Sequence, residues 1–204
     1  MSALARILSQ QEANPAAPGS ASQRQRQPGR LLIIGYGNPL RGDDGIGWRV
    51  ADQLAALVGD AAKVLTVHQL TPELAEPISK ADLVIFIDAS YTGRPGSWTC
   101  ETIRPGPESS DAFTHYFMPA NLLSYADAIF SANPKALLIS VAGTTFGCGD
   151  ELSPRTAAIV PEIVATVLRM VERQFGEIPG MNIPLSARSS ILYSRRSANR
   201  GRPK

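Results

Sequence analysis

Between residues 31 and 175 the chain alternates short apolar, β-branched runs with longer stretches in which apolar positions recur every three or four residues. That alternation is the pattern of strands separated by helices, and so of an α/β fold. The runs predict strands over Leu31–Tyr36, Lys63–His68, Leu83–Asp88, Trp98–Arg104 and Ala136–Ala142. The periodic stretches predict helices over Gly45–Val58, Pro72–Lys80, Pro119–Phe130 and Ser153–Phe175. The last helix carries the clearest signals. Ser153 suits an N-cap, Pro154 suits the first helical position, and Ile159, Ile163, Val167 and Met170 form one stripe. Three of the strands are continuously apolar, so both of their faces are expected to be covered. The expected architecture is a single three-layer α/β sandwich, with a mostly parallel, twisted sheet of about five strands flanked by helices.

Composition fits one folded domain with two tails. The chain has 204 residues, 44% hydrophobic and 19% charged, which is enough for one core and close to globular averages. Its formal charge of +2 is unevenly placed. Residues 1–30 hold four arginines against one glutamate, and residues 176–204 hold five arginines and a lysine against one glutamate, so the middle is acidic. Both ends are rich in Ser, Pro, Gln, Gly or Arg without periodicity. They are expected to be a disordered extension (1–30) and a mobile basic tail (176–204) around an α/β domain at 31–175. Short arginine-rich ends can touch RNA, but nothing else in the sequence suits nucleic acid, which is not expected as a partner.

No apolar run reaches the roughly 18 residues of a bilayer span, and the apolar start of the chain is too short and interrupted for a signal-peptide core, so a cytoplasmic site is expected. Cys100 and Cys148 are the only cysteines and lack metal-ligand spacing, which excludes a disulfide framework and a zinc knuckle.

The stretch Gly35-Tyr-Gly-Asn-Pro-Leu-Arg-Gly-Asp-Asp-Gly-Ile-Gly47 carries the most chemistry. It begins like a dinucleotide fingerprint, but Leu40 stands where the third glycine belongs and Pro39 spoils the tight turn, so a Rossmann site is not expected. Asp43 and Asp44 precede the first helix. One of them is expected to cap its free amides, which leaves the other for chemistry. Asp88 ends the third predicted strand, and ligands in open α/β sheets gather at such carboxyl ends, so Asp44 and Asp88 are expected to converge. His115 sits in a loop before a helix at what should be the same edge. Two carboxylates and one imidazole from three segments make an incomplete coordination shell for Ni²⁺, Zn²⁺ or another borderline divalent ion.

These residues carry a resemblance. The Gly35–Gly47 motif, Leu83-Val-Ile-Phe-Ile-Asp-Ala89, the His115 loop with Leu122 and Leu123 behind it, and Leu152-Ser-Pro154 leading into Val160-Pro-Glu162 resemble the maturation endopeptidases of nickel-iron hydrogenases, over about residues 31–175 in order. The resemblance implies a sheet flanked by helices and a protease that trims the C-terminal extension of the hydrogenase large subunit once nickel is inserted. It implies Asp44, Asp88 and His115 as metal-contacting and catalytic residues. The nickel would be supplied by the precursor, the implied partner. Members of that family can carry Glu where this chain has Asp44, and the long N-terminal extension is a further departure.

Other residues are weaker candidates. His68 fits a strand end and Glu73 a first helical turn. Cys148 has no assignable base. No Gly-x-Ser-x-Gly elbow or His-Glu-x-x-His is present. Two rivals stay open: a peptidyl-tRNA hydrolase-like enzyme, whose opening Gly-x-Gly-Asn-Pro is similar but whose Thr-Arg-His-Asn run is missing, and a non-catalytic metal-sensing chaperone of hydrogenase assembly.

Overall fold

The structure is a computed structural model that describes residues 30–106 and 117–176. Residues 1–29 and 177–204 of the two predicted tails, and residues 107–116 with His115, lie outside those residues. Five strands form one sheet: β1 (Leu31–Tyr36), β2 (Ala62–Val67), β3 (Leu83–Ser90), β4 (Trp98–Ile103) and β5 (Lys135–Ala142). Their spatial order is β2-β1-β3-β5-β4, with every pair parallel except β4 against β5. The helices are α1 (Ile46–Val58), α2 (Ala75–Ser79), α3 (Pro119–Phe130) and α4 (Pro154–Phe175).

Strand alternation sorts the core into two halves. Leu31 and Ile33 of β1, Leu83, Ile85 and Ile87 of β3, and Ile139 and Val141 of β5 face α1 and α4. Leu32, Ile34, Val84, Phe86 and Ala136 face the other way, onto α2 and α3. The three continuously apolar strands are thus the three interior ones, covered on both faces as expected. Each fully buried large side chain contributes roughly 1.5–3 kcal/mol. Phe86, Ile33, Ile34, Ile85 and Ile87 all belong to β1 and β3, so the middle of the sheet is its most firmly held part.

All five strands and three of the four helices fall within two residues of their predicted bounds at every end. The helix expected over Pro72–Lys80 is instead a 3₁₀ turn at Pro72–Leu74 followed by the short α2. Pro77 has no N–H to give the carbonyl of Glu73, and it falls in the first turn of α2, where that donor is not needed. Ser153 caps α4 as expected, accepting from the amide of Thr156.

Candidate active site

In this strand order β1 leaves through α1 to β2 on one side, while β3 lies on the other. The carboxyl ends of β1 and β3 therefore flank a topological switch point, the place where α/β sheets open a crevice. Asp44 lies in the 3₁₀ turn Gly42–Gly45 that follows β1, and Asp88 lies near the end of β3. Close approach of α1 to the sheet keeps this crevice tight. A Cβ on Gly35 would overlap the Gly47 carbonyl, and one on Gly47 would overlap the carbonyls of Ile87 and Tyr36. Only glycine at both positions lets the helix start against both strands.

Asp88 is half-buried, and its Oδ1 accepts from the Ala89 amide at 2.8 Å. Removal from water pushes its pKa up to about 7. The Asp44 carboxylate adds to the rise, against hydrogen bonds from Ala89 and the Tyr36 hydroxyl. Tyr36 is raised well above its ordinary value by burial, by the charge of Asp88 and by the hydrogen bond it makes there. The charge of Asp44 thus acts on Asp88. One oxygen of Asp44 accepts from the Asn38 amide at 2.9 Å, and the other has no hydrogen bond among the described residues. Asp44 and Asp88 thus present two oxygen-donor groups at the carboxyl ends of neighbouring strands. Among the described residues no group of three His, Cys, Asp or Glu that could hold a metal is formed. His115, the predicted third donor, lies outside those residues; Phe117, two residues on, packs in the α2/α3 layer toward which Asp88 alternates.

Asp43 corrects one expectation. Neither aspartate caps the first helix: among the described residues no side chain bonds to the amides at the start of the 3₁₀ turn or of α1. Asp43 is fully buried and reaches instead across to the β5–α4 connection. Oδ2 accepts from the amides of Thr144 (2.6 Å) and Thr145 (3.1 Å) and from the Ser153 hydroxyl (2.8 Å), and Oδ1 accepts from the Ser153 amide (2.7 Å). Burial raises its pKa, and the donors from Thr144, Ser153 and Thr145 together outweigh burial and hold the carboxyl below its usual range.

Among the described residues the weaker candidates make no hydrogen bond to this pair. His68 is exposed and lies against the ring of Trp48, centroids 5.1 Å apart. Glu73 is exposed, its carboxyl lowered by the Thr71 hydroxyl, in the first turn where it was expected. Cys148 is an exposed free thiol, and Cys100 a half-buried one on β4. A groove of about 490 Å³ lined by Ile103, Pro134, Lys135 and Met170 opens at the far end of the sheet, where β4 ends and β5 begins, so it is not part of this site. Leu40 and Tyr91 are exposed on loops at the crevice edge, and Tyr91 stacks on Phe146 with centroids 3.9 Å apart.

Solved structures share this fold. The chain is similar to the NiFe hydrogenase maturation protease HycI from Thermococcus kodakarensis, at 25% identity and TM-score 0.58, covering 70% of this chain and 92% of that one. It is similar to a hydrogenase 2 maturation peptidase from a Thaumarchaeota archaeon at 26% identity and TM-score 0.55, covering 70% and 97%. The chain has the fold of the hydrogenase maturation proteases. The hydrogenase maturating endopeptidase HybD from E. coli has it too, at 24% identity and TM-score 0.59, covering 71% and 93%. The family suspected from the Gly35–Gly47 motif is the one from which these structures come. No family model and no curated protein sequence matches the chain.

Sequence reasoning placed Asp44 and Asp88 but missed Tyr36 and the partners of Asp43. Strand alternation would have found Tyr36: it follows Leu32 and Ile34 onto the face that Val84, Phe86 and Asp88 share. No comparable local signal joins Asp43 to residues 101–110 positions away.

Proposed function

We propose that this protein is a metal-dependent hydrolase, an endopeptidase that removes the C-terminal extension of a nickel-iron hydrogenase large subunit after nickel insertion. The observation that carries the reading is the pairing of the Asp44 and Asp88 carboxylates at the β1/β3 switch point of a maturation-protease fold. The nickel enters as part of the substrate. Asp44 and Asp88 offer it oxygen ligands, and His115 adds a ring nitrogen, the donor types that suit a borderline divalent ion. Held this way, the precursor lies across the crevice with its scissile bond fixed, and positioning alone lowers the barrier substantially. An Asp88 carboxyl whose pKa lies near 7 can also accept or return a proton close to neutral pH.

Among the described residues no helix is long and apolar enough to cross a membrane, and we take the large-subunit precursor as a cytoplasmic partner. The test mixes the purified protein with nickel-loaded and nickel-free precursor and follows the size of the large subunit. Cleavage of the loaded form alone is expected, and equal cleavage of both would sink the nickel requirement.

A further inference from the structure

Asp43 is a buried carboxylate with no role in the chemistry above. Among the described residues no cation pairs with it; four donors converge on its two oxygens instead. The same two loops are joined by backbone. The Asp43 amide donates to the Thr145 carbonyl (2.8 Å), the Gly42 amide to the Gly149 carbonyl (2.7 Å), and the Gly149 amide to the Leu40 carbonyl (2.9 Å). Contact is so close that a Cβ on Gly143 would meet the Asp43 Cβ at 2.9 Å. Ser153 has a double part, giving its hydroxyl proton to Asp43 while accepting from the Thr156 amide at the start of α4. Asp43 therefore ties the loop after β1 to the N-terminus of a 22-residue helix. The residue that follows it is Asp44, whose carboxylate is held from the other side by the Asn38 amide.

We propose that Asp43 is the positioning residue for Asp44: by clamping its loop to Thr144, Thr145 and Ser153 it fixes where the Asp44 carboxylate sits in the crevice. This rests on the reading of Asp44 as a site residue. Asparagine at position 43 cannot replace the carboxylate, because its NH₂ would face at least one of the four converging donors and the loop would shift to relieve the clash. A displacement of about 1 Å at a reacting group costs on the order of 10²-fold in rate.

The test uses Asp43→Asn and Ser153→Ala in the full chain. With nickel-loaded precursor, at a temperature where variant and wild type are both fully folded, Asp43→Asn is expected to lose about 10²-fold in kcat with KM little changed. A wild-type kcat would overturn the proposal. An independent readout is the side-chain carboxyl resonance of Asp44 and the amide resonance of Asn38. These are followed in Ser153→Ala, which removes a donor to Asp43 without touching Asp44, while the first-turn amides of α4 report the lost cap separately. Both resonances are expected to move, and wild-type positions would overturn the clamp. If Asp43→Asn does not fold, Ser153→Ala, which removes one donor of the four, carries both readouts in the same directions. If the wild-type chain cleaves no precursor, the protease reading fails and the resonances alone decide the clamp.

Discussion

The hydroxyl of Tyr36 faces the Asp88 carboxyl across the seam between β1 and β3 and acts to lower its pKa, against the burial that raises it. The parallel register requires the two to be neighbours: Gly35 pairs with Ile87, so the next residue of each strand lies side by side on the same face. A hydrogen bond to the carboxylate favours its charged form. Tyr36→Phe keeps the ring and removes the donor, so the Asp88 midpoint should rise further above its value of about 7, by roughly one unit for the loss of one charge-assisted bond. A carboxyl carbon titration by NMR measures it, and an unchanged midpoint would show that the hydroxyl does not act on Asp88.

Asp88→Asn keeps the shape of the side chain but offers a neutral, poorer ligand that cannot take a proton. Cleavage of nickel-loaded precursor should be abolished while circular dichroism and the cooperativity of unfolding stay as in the wild type. Retained cleavage would remove Asp88 from the site.

The approach of α1 to the sheet makes a sharper stability prediction. Gly47→Ala forces a methyl group into the carbonyls of Ile87 and Tyr36, which are sheet backbone and cannot swing aside. Overpacking of this kind costs about 1–3 kcal/mol and occasionally more, and the affected strands are those that carry Asp88 and lead to Asp44. Gly147→Ala is the control, with nothing within 4 Å of the added carbon, and should change stability by less than about 0.5 kcal/mol. Equal denaturation midpoints for the two variants would contradict the close packing.

These cases mark what a sequence makes legible. The β1 run and the α4 stripe are local patterns, and both elements form where the pattern puts them. That Asp44 and Asp88 lie at the carboxyl ends of neighbouring strands was legible because parallel topology gathers strand ends wherever the intervening chain goes. The assignment of a cap to one of the paired aspartates failed because its local logic ignored a competitor. Amides 101–110 residues away in sequence were better placed to satisfy Asp43 than those of its own helix. The split of the Pro72–Lys80 segment was not readable from Pro77 alone, because α4 carries Pro161 in its interior without a break.

Asp43 and Asp88 pull stability in opposite directions with pH. Asp43 has a folded pKa below its unfolded value, so its contribution is present above the ordinary carboxylate range and is lost as pH falls through the folded pKa. Asp88 behaves the other way. Its folded pKa is about 7 against roughly 3.9 when unfolded. Below pH ~4 both states hold the proton and Asp88 is neutral in effect. Between about pH 4 and 7 the unfolded chain releases the proton while the folded chain keeps it, so stability declines as pH rises. Above about pH 7 the penalty is complete, at most roughly 4 kcal/mol. Asp88→Asn cannot ionise and removes this decline, so the metal-free variant should match the wild type near pH 4 and become progressively more stable than it toward pH 8. Calorimetric Tm values of both proteins across that range decide the matter: curves that stay parallel would mean that Asp88 ionises as readily in the folded protein as in the unfolded chain.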